Sequence, residues 1–127
     1  MKLNPDCIRD ILLEVEKQPF EKILHFEDLQ NQLPKYTYED LTYTCLKLKE
    51  GGLIKIAIIS ADNHTHVEFI QDLTFDGHEF LNNIRADNVW NHVKTVGSKI
   101  GASSVSALCQ IAAQVISAII KQEIGLQ

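Results

Sequence analysis

Three helical periodicities in the first fifty residues, a Gly-Gly stop followed by two alternating apolar runs, and an uncharged amphipathic stretch near the C-terminus predict an α+β chain that is mostly α. The expected architecture is a winged helix-turn-helix head, three helices plus a β-hairpin wing, over residues 1–73. C-terminal helices over residues 74–127 follow it as an expected oligomerisation element. At 127 residues the chain has room for one core with an appended element.

The first helix is announced by Asn4 as N-cap and Pro5 at the first helical position, where the missing N–H costs nothing. Ile8, Ile11, Leu12 and Val15 repeat at helical spacing, and the pattern stops before Pro19. Residues 23–25 read as a short extended connection. Phe26, Leu29 and Leu33 mark a second short helix that Pro34 ends. Thr37 with Asp40 three positions on resembles a capping box with Asp in place of Glu. Behind it Leu41, Cys45 and Leu48 form the inner stripe of a third helix, and Gly51 and Gly52 close it.

Ile54, Ile56 and Ile58 alternate with Lys55 and Ala57 as a strand; residues 60–65 are a polar turn; Val67, Phe69 and Gln71 alternate again and complete a hairpin. Thr74 caps the next helix, which turns Phe80, Leu81 and Ile84 inward. Asp87 is read as the cap of a continuation carrying Val89, Trp90, Val93 and Val96, and Gly97 and Gly101 as a hinge.

Residues 100–120 carry no charge, which raises the question of a membrane span. Ser103, Ser106, Gln110, Gln114, Ser117 and Lys121 recur every three or four positions and line one face, so the reading is an amphipathic helix and not a span. Val105, Leu108, Ala112, Val115 and Ile119 fit a three-four seam, and a homodimer joined through this helix is expected, with folding back on the head as the alternative.

Charge is unevenly distributed. Residues 1–80 hold eight Lys or Arg against fifteen Asp or Glu, a net of minus seven, whereas residues 81–127 hold four against two. An acidic head needs a local basic stripe to hold a duplex, because phosphate contacts come chiefly from Lys and Arg. Cys7, Cys45 and Cys109 are odd in number and widely spaced, which suggests neither a disulfide framework nor a metal site. The opening lacks the basic and apolar regions of a signal peptide, so the cytoplasm is the expected compartment.

Catalytic signals are absent from the sequence: no glycine-rich phosphate loop, nucleophile elbow or paired-cysteine motif occurs. His78-Glu79 resembles the start of a zincin helix, but Asn82 stands where the second histidine would be needed. His64 and His66 could share a metal with His25 or Asp62, although surface histidines in a turn are the ordinary explanation. No cofactor is expected and the chain is read as a non-enzyme.

The opening Met-Lys-Leu-Asn-Pro-Asp-Cys-Ile-Arg-Asp-Ile-Leu-Leu, the Tyr-Glu-Asp-Leu-Thr-Tyr of the third helix, the Gly-Gly-Leu-Ile exit, and the Leu73–Leu81 block Leu-Thr-Phe-Asp-Gly-His-Glu-Phe-Leu resemble an uncharacterised bacterial and phage-associated family, domain of unknown function 2513. The resemblance covers most of the chain up to Gly101. It implies a winged-helix-like, phage-associated protein and supplies no substrate, cofactor or catalytic residue.

The functional expectation is a phage-type, DNA-binding protein of transcription regulation, with Lys35, Tyr36, Tyr38, Thr42, Tyr43 and Lys47 as contacts. The alternative is a protein-protein adaptor that uses the same surface without DNA. Against DNA stand Glu39 and Asp40 in the first turn of the third helix and a wing tip without Lys or Arg.

Overall fold

The computed structural model describes residues 1–125 and is α+β, mostly helical, with six helices and one three-stranded antiparallel sheet among the described residues. It divides into two compact units, Met1–His78 and the residues from Glu79 onward. The sequence places a boundary at 73/74, and the first compact unit runs on to His78.

In the first unit, α1 (Pro5–Glu16) starts as read, with the Asn4 side chain accepting from the Asp6 N–H at 3.0 Å. Cys7, Ile8, Ile11, Leu12 and Val15 are buried along one stripe. Each large aliphatic buried this way contributes about 1.5–3 kcal/mol. The extended connection is a true strand, β1 (Leu24–His25), and α2 (Phe26–Gln32) follows it directly.

α3 (Tyr38–Glu50) opens on the complete capping box: the Asp40 N–H donates to Thr37 Oγ1 at 3.0 Å and the Thr37 N–H donates to Asp40 Oδ2 at 3.2 Å. At its other end Gly52 takes φ +77°, the left-handed conformation. The Leu53 N–H then reaches back to the Leu48 carbonyl at 2.9 Å and the Gly52 N–H to that of Lys49 at 3.0 Å, so two terminal carbonyls are satisfied in one turn. Because α1 lies against one side of α3 and the sheet against another, its buried arc is wider than the Leu41, Cys45, Leu48 stripe and takes in Thr42 and Thr44. Thr42 was expected to face outward and does not.

β2 (Ile54–Ala61) and β3 (His64–Leu73) pair antiparallel, and β1 pairs with β3 on the other side, giving the order β1-β3-β2. The polar turn contracts to two residues, Asp62 and Asn63, both with positive φ, as the tight turn matching strand twist requires. β3 does not alternate as Val67, Phe69 and Gln71. Its register with β2 skips Glu68 and Gln71, so two bulges each insert one residue, and the buried positions become Val67, Ile70 and Leu73.

α4 (Phe75–Ile84) begins where Thr74 caps it: its Oγ1 accepts from the Gly77 N–H at 3.0 Å and donates to the Gly52 carbonyl at 2.5 Å. The Thr74 N–H donates to the Leu53 carbonyl at 3.0 Å. Gly77 is held so close to that carbonyl that a Cβ on it would lie 2.1 Å from the oxygen. The Thr-x-x-Gly spacing therefore joins the helix start to the chain leaving α3.

In the second unit, Phe80, Leu81 and Ile84 are buried. α5 (Asp87–Ile100) has Ala86 as its N-cap with no side-chain cap bond, so Asp87 occupies the first turn, where its charge suits the helix dipole, and is not the cap. Gly97 lies inside α5, and Gly101, at φ +69°, ends it with the Ala102 N–H donating to the Gly97 carbonyl at 2.8 Å. The two glycines thus build a helix terminus instead of a hinge, and Ile100 belongs to α5. Ser104 then caps α6 (Val105–Glu123), its Oγ accepting from the Ala107 N–H at 3.1 Å. α6 folds back along α5. By length and composition alone α6 could cross a membrane; its exposed Ser106, Gln110, Gln114 and Lys121 form the polar stripe read from the sequence.

Candidate interaction surface

The surface around the start of α3 is built from three elements. Thr37 fixes the first turn of α3, which lifts Tyr38 out of the core beside Phe26 of α2 and His66 of β3. The Tyr38 and Phe26 rings meet edge to face, with centroids 5.5 Å apart and planes at 75°. The Tyr38 hydroxyl and His66 Nδ1 share a hydrogen bond of 2.5 Å, and His64 stands 6.3 Å from His66, ring to ring. Tyr38 keeps 38% of its surface exposed. The outcome is an aromatic patch with one buried and one open end, the kind of rigid anchor that protein interfaces favour.

Two cations on this side, Lys35 and Lys47, are each paired with a carboxylate of the chain. Asp10 of α1 takes the Lys35 ammonium at 3.2 Å and accepts from the Tyr36 hydroxyl at 2.6 Å on the same oxygen, while the Lys35 ammonium lies 5.1 Å from the Tyr36 ring centroid. Burial, and then the bond to Asp10, hold the Tyr36 phenol well above its usual range. One turn from the end of α3, Lys47 pairs with Glu50 at 2.8 Å and lies over the Tyr43 ring at 5.4 Å. Its pKa is raised by that hydrogen bond with Glu50.

Of the six residues expected to make contacts, Tyr38 stands at the centre of the aromatic patch, Lys35 and Tyr36 are tied to α1, and Tyr43 and Lys47 form a separate pair further along α3. Thr42 is 9% exposed, and its hydroxyl is buried without a hydrogen-bond partner among the described residues, so it is no surface contact. Phe26, His66 and Asp10 complete the surface and were missed, because they lie on other elements; the alternation of His64 and His66 on the hairpin was the one local signal.

No group of three or more His, Cys, Asp or Glu side chains is placed to hold a metal among the described residues. Cys7 and Cys45 are buried, which pushes the Cys7 thiol up to about 11 against a hydrogen bond from Thr44, and the Cys45 thiol also upward. A cleft of about 690 Å³ lies between the loop after α1 and the sheet, with Phe20, Lys22, Lys55, Phe69, Asp72 and His78 in its walls. His78 and Glu79 both lie in the exposed part of α4's early turns. Of the expected seam, Val105, Leu108 and Ala112 are buried within the second unit, Val115 is half-buried and Ile119 is 37% exposed.

The family model described as Hypothetical protein (DUF2513) matches residues 2–103. A Haemophilus influenzae protein described as an uncharacterized protein is 36% identical over 118 residues, which cover 92% of this chain and 97% of that one. No solved structure matches.

Proposed function

This chain belongs to the DUF2513 family, and on that premise we propose that its head is a non-catalytic, winged-helix-type interaction module that holds a partner protein on the Tyr38 patch. The order α1-β1-α2-α3-β2-β3, with two helices separated by a proline turn and a hairpin directly behind them, supports the winged-helix reading. The observation that carries the partner reading is the state of the cations: Lys35 and Lys47, the two expected to meet phosphate, are each engaged by a carboxylate of the chain itself. A head with a net charge of minus seven over residues 1–80 adds to this. Such a surface suits a partner that offers a pocket for an aromatic ring and basic groups at its rim.

DNA binding in phage-type transcription regulation is the second reading, favoured by the element order, with Lys35, Tyr36, Tyr38, Tyr43 and Lys47 as the contact set. Both readings assume the cytoplasm. One experiment separates them. The full chain is immobilised and exposed to bacterial lysate before and after nuclease, and in parallel titrated with duplex DNA at low salt. The partner reading expects a stoichiometric protein retained after nuclease and lost on Tyr38→Ala. Duplex binding that weakens steeply with salt, with no protein surviving nuclease, overturns it in favour of DNA.

A further inference from the structure

The two edges of the sheet are built differently. β1 reaches only Ile70 and Phe69, so the outer part of β3 lacks a strand partner on that side; that stretch carries His64, His66 and Glu68, polar groups that discourage another strand. β2 is the opposite edge over its whole eight residues. It contains no proline or glycine, its one charge is Lys55 near the start, and Ile58 and Ile59 are 36% and 46% exposed. Both bulges fall on β3, so the β2 backbone keeps regular spacing. An edge of this length and composition is a template for strand addition.

The residues of β2 also say which strand fits. In an antiparallel pair, opposed side chains share a face, so a two-fold axis must pass through a residue pair. Centred on Ile58, it sets Ile58 against Ile58 of the second copy, Ala57 against Ile59, Ile56 against Ser60 and Lys55 against Ala61. Each exposed isoleucine gains an apolar cross-strand neighbour, and the two Lys55 side chains end up at opposite ends of the ladder, roughly 20 Å apart at the usual rise per residue. A parallel pairing in register would oppose Lys55 to Lys55. We propose that this chain forms a homodimer by antiparallel pairing of β2 with β2 of a second copy, making one six-stranded sheet. The inference is independent of what the Tyr38 patch binds.

Light scattering on the full chain at micromolar concentration tests it. The expected mass is twice 14.4 kDa. Ile58→Lys opposes two like charges on the axis and raises the dissociation constant by about tenfold or more, as does Ile58→Glu. Mixing the two variants restores a dimer, which a merely misfolded variant would not do. Ile119→Lys on α6 leaves the dimer intact. A monomeric parent chain overturns the proposal, and so does a dimer that withstands Ile58→Lys but is dissociated by Ile119→Lys.

Discussion

Gly77→Ala is the most demanding test of the architecture, because helix propensity and packing pull in opposite directions. Alanine at a helical position is favoured over glycine by about 1 kcal/mol. Here, however, the added Cβ would lie 2.1 Å from the Leu53 carbonyl oxygen and 3.0 Å from its carbon, whereas a carbon and an oxygen rarely approach closer than about 3.3 Å. Relief requires one backbone segment to move from the other by about 1 Å. No side chain can yield instead. Overpacking of this kind costs about 1–3 kcal/mol. The same displacement strains the Thr74 N–H bond to that carbonyl, 3.0 Å in the native chain, worth about 1 kcal/mol. The net expectation is a loss of about 1–3 kcal/mol, or about 4 °C in Tm for each kcal/mol. Urea unfolding followed by far-UV circular dichroism measures it. Gly52→Ala is the matched control: nothing lies within 4 Å of its Cβ and only its positive φ opposes the change, which costs about 1–2 kcal/mol. A Gly77→Ala chain as stable as the parent would refute the close approach of α4 to Leu53.

Three further outcomes follow from local geometry. Thr37→Ala removes the acceptor of the α3 cap and lowers stability by about 1 kcal/mol; combined with Asp40→Ala the loss is less than the sum of the two, readable from a double-mutant cycle in urea. In the native chain, Ellman's reagent at mild alkaline pH labels Cys109 first, while Cys7 and Cys45 react only on unfolding, because burial disfavours both thiolates. Tyr36 stays a phenol in the folded chain at pH values where an unfolded tyrosine, near 10.0, has ionised; the unfolded state then binds fewer protons, so stability falls as pH rises above that value. Asp10→Asn flattens this fall, which ultraviolet titration alongside urea midpoints detects.

The sequence discloses what neighbouring residues decide among themselves. The Asn4 and Thr37 caps, the helical stripes of α1 and α3 and the stop at Gly52 all depend on residues within a few positions of each other. β1 was legible only as extended chain, since two residues become a strand by pairing with β3. The inward set of β3 could not be found by alternation, because Glu68 and Gln71 are absorbed into bulges that exist only against β2. A single stripe puts Thr42 on the outer face, whereas α1 and the sheet cover α3 from two directions. The candidate surface is half visible in the sequence: Tyr38 and Lys35 stand out as residue types, but the pairing of Lys35 with Asp10 joins positions 25 apart in the chain.

The bonds from Thr74 to Gly52 and Leu53, with the bare Cα of Gly77 beside them, have a consequence for anyone recombining members of this family. A hairpin transplanted from a relative at its visible limits, Ile54 and Leu73, would leave its two ends seated on a foreign clasp. The exchangeable cassette therefore runs from Gly52 through Gly77, and crossover points inside those limits should yield chimaeras that express poorly however similar the ribbons themselves are.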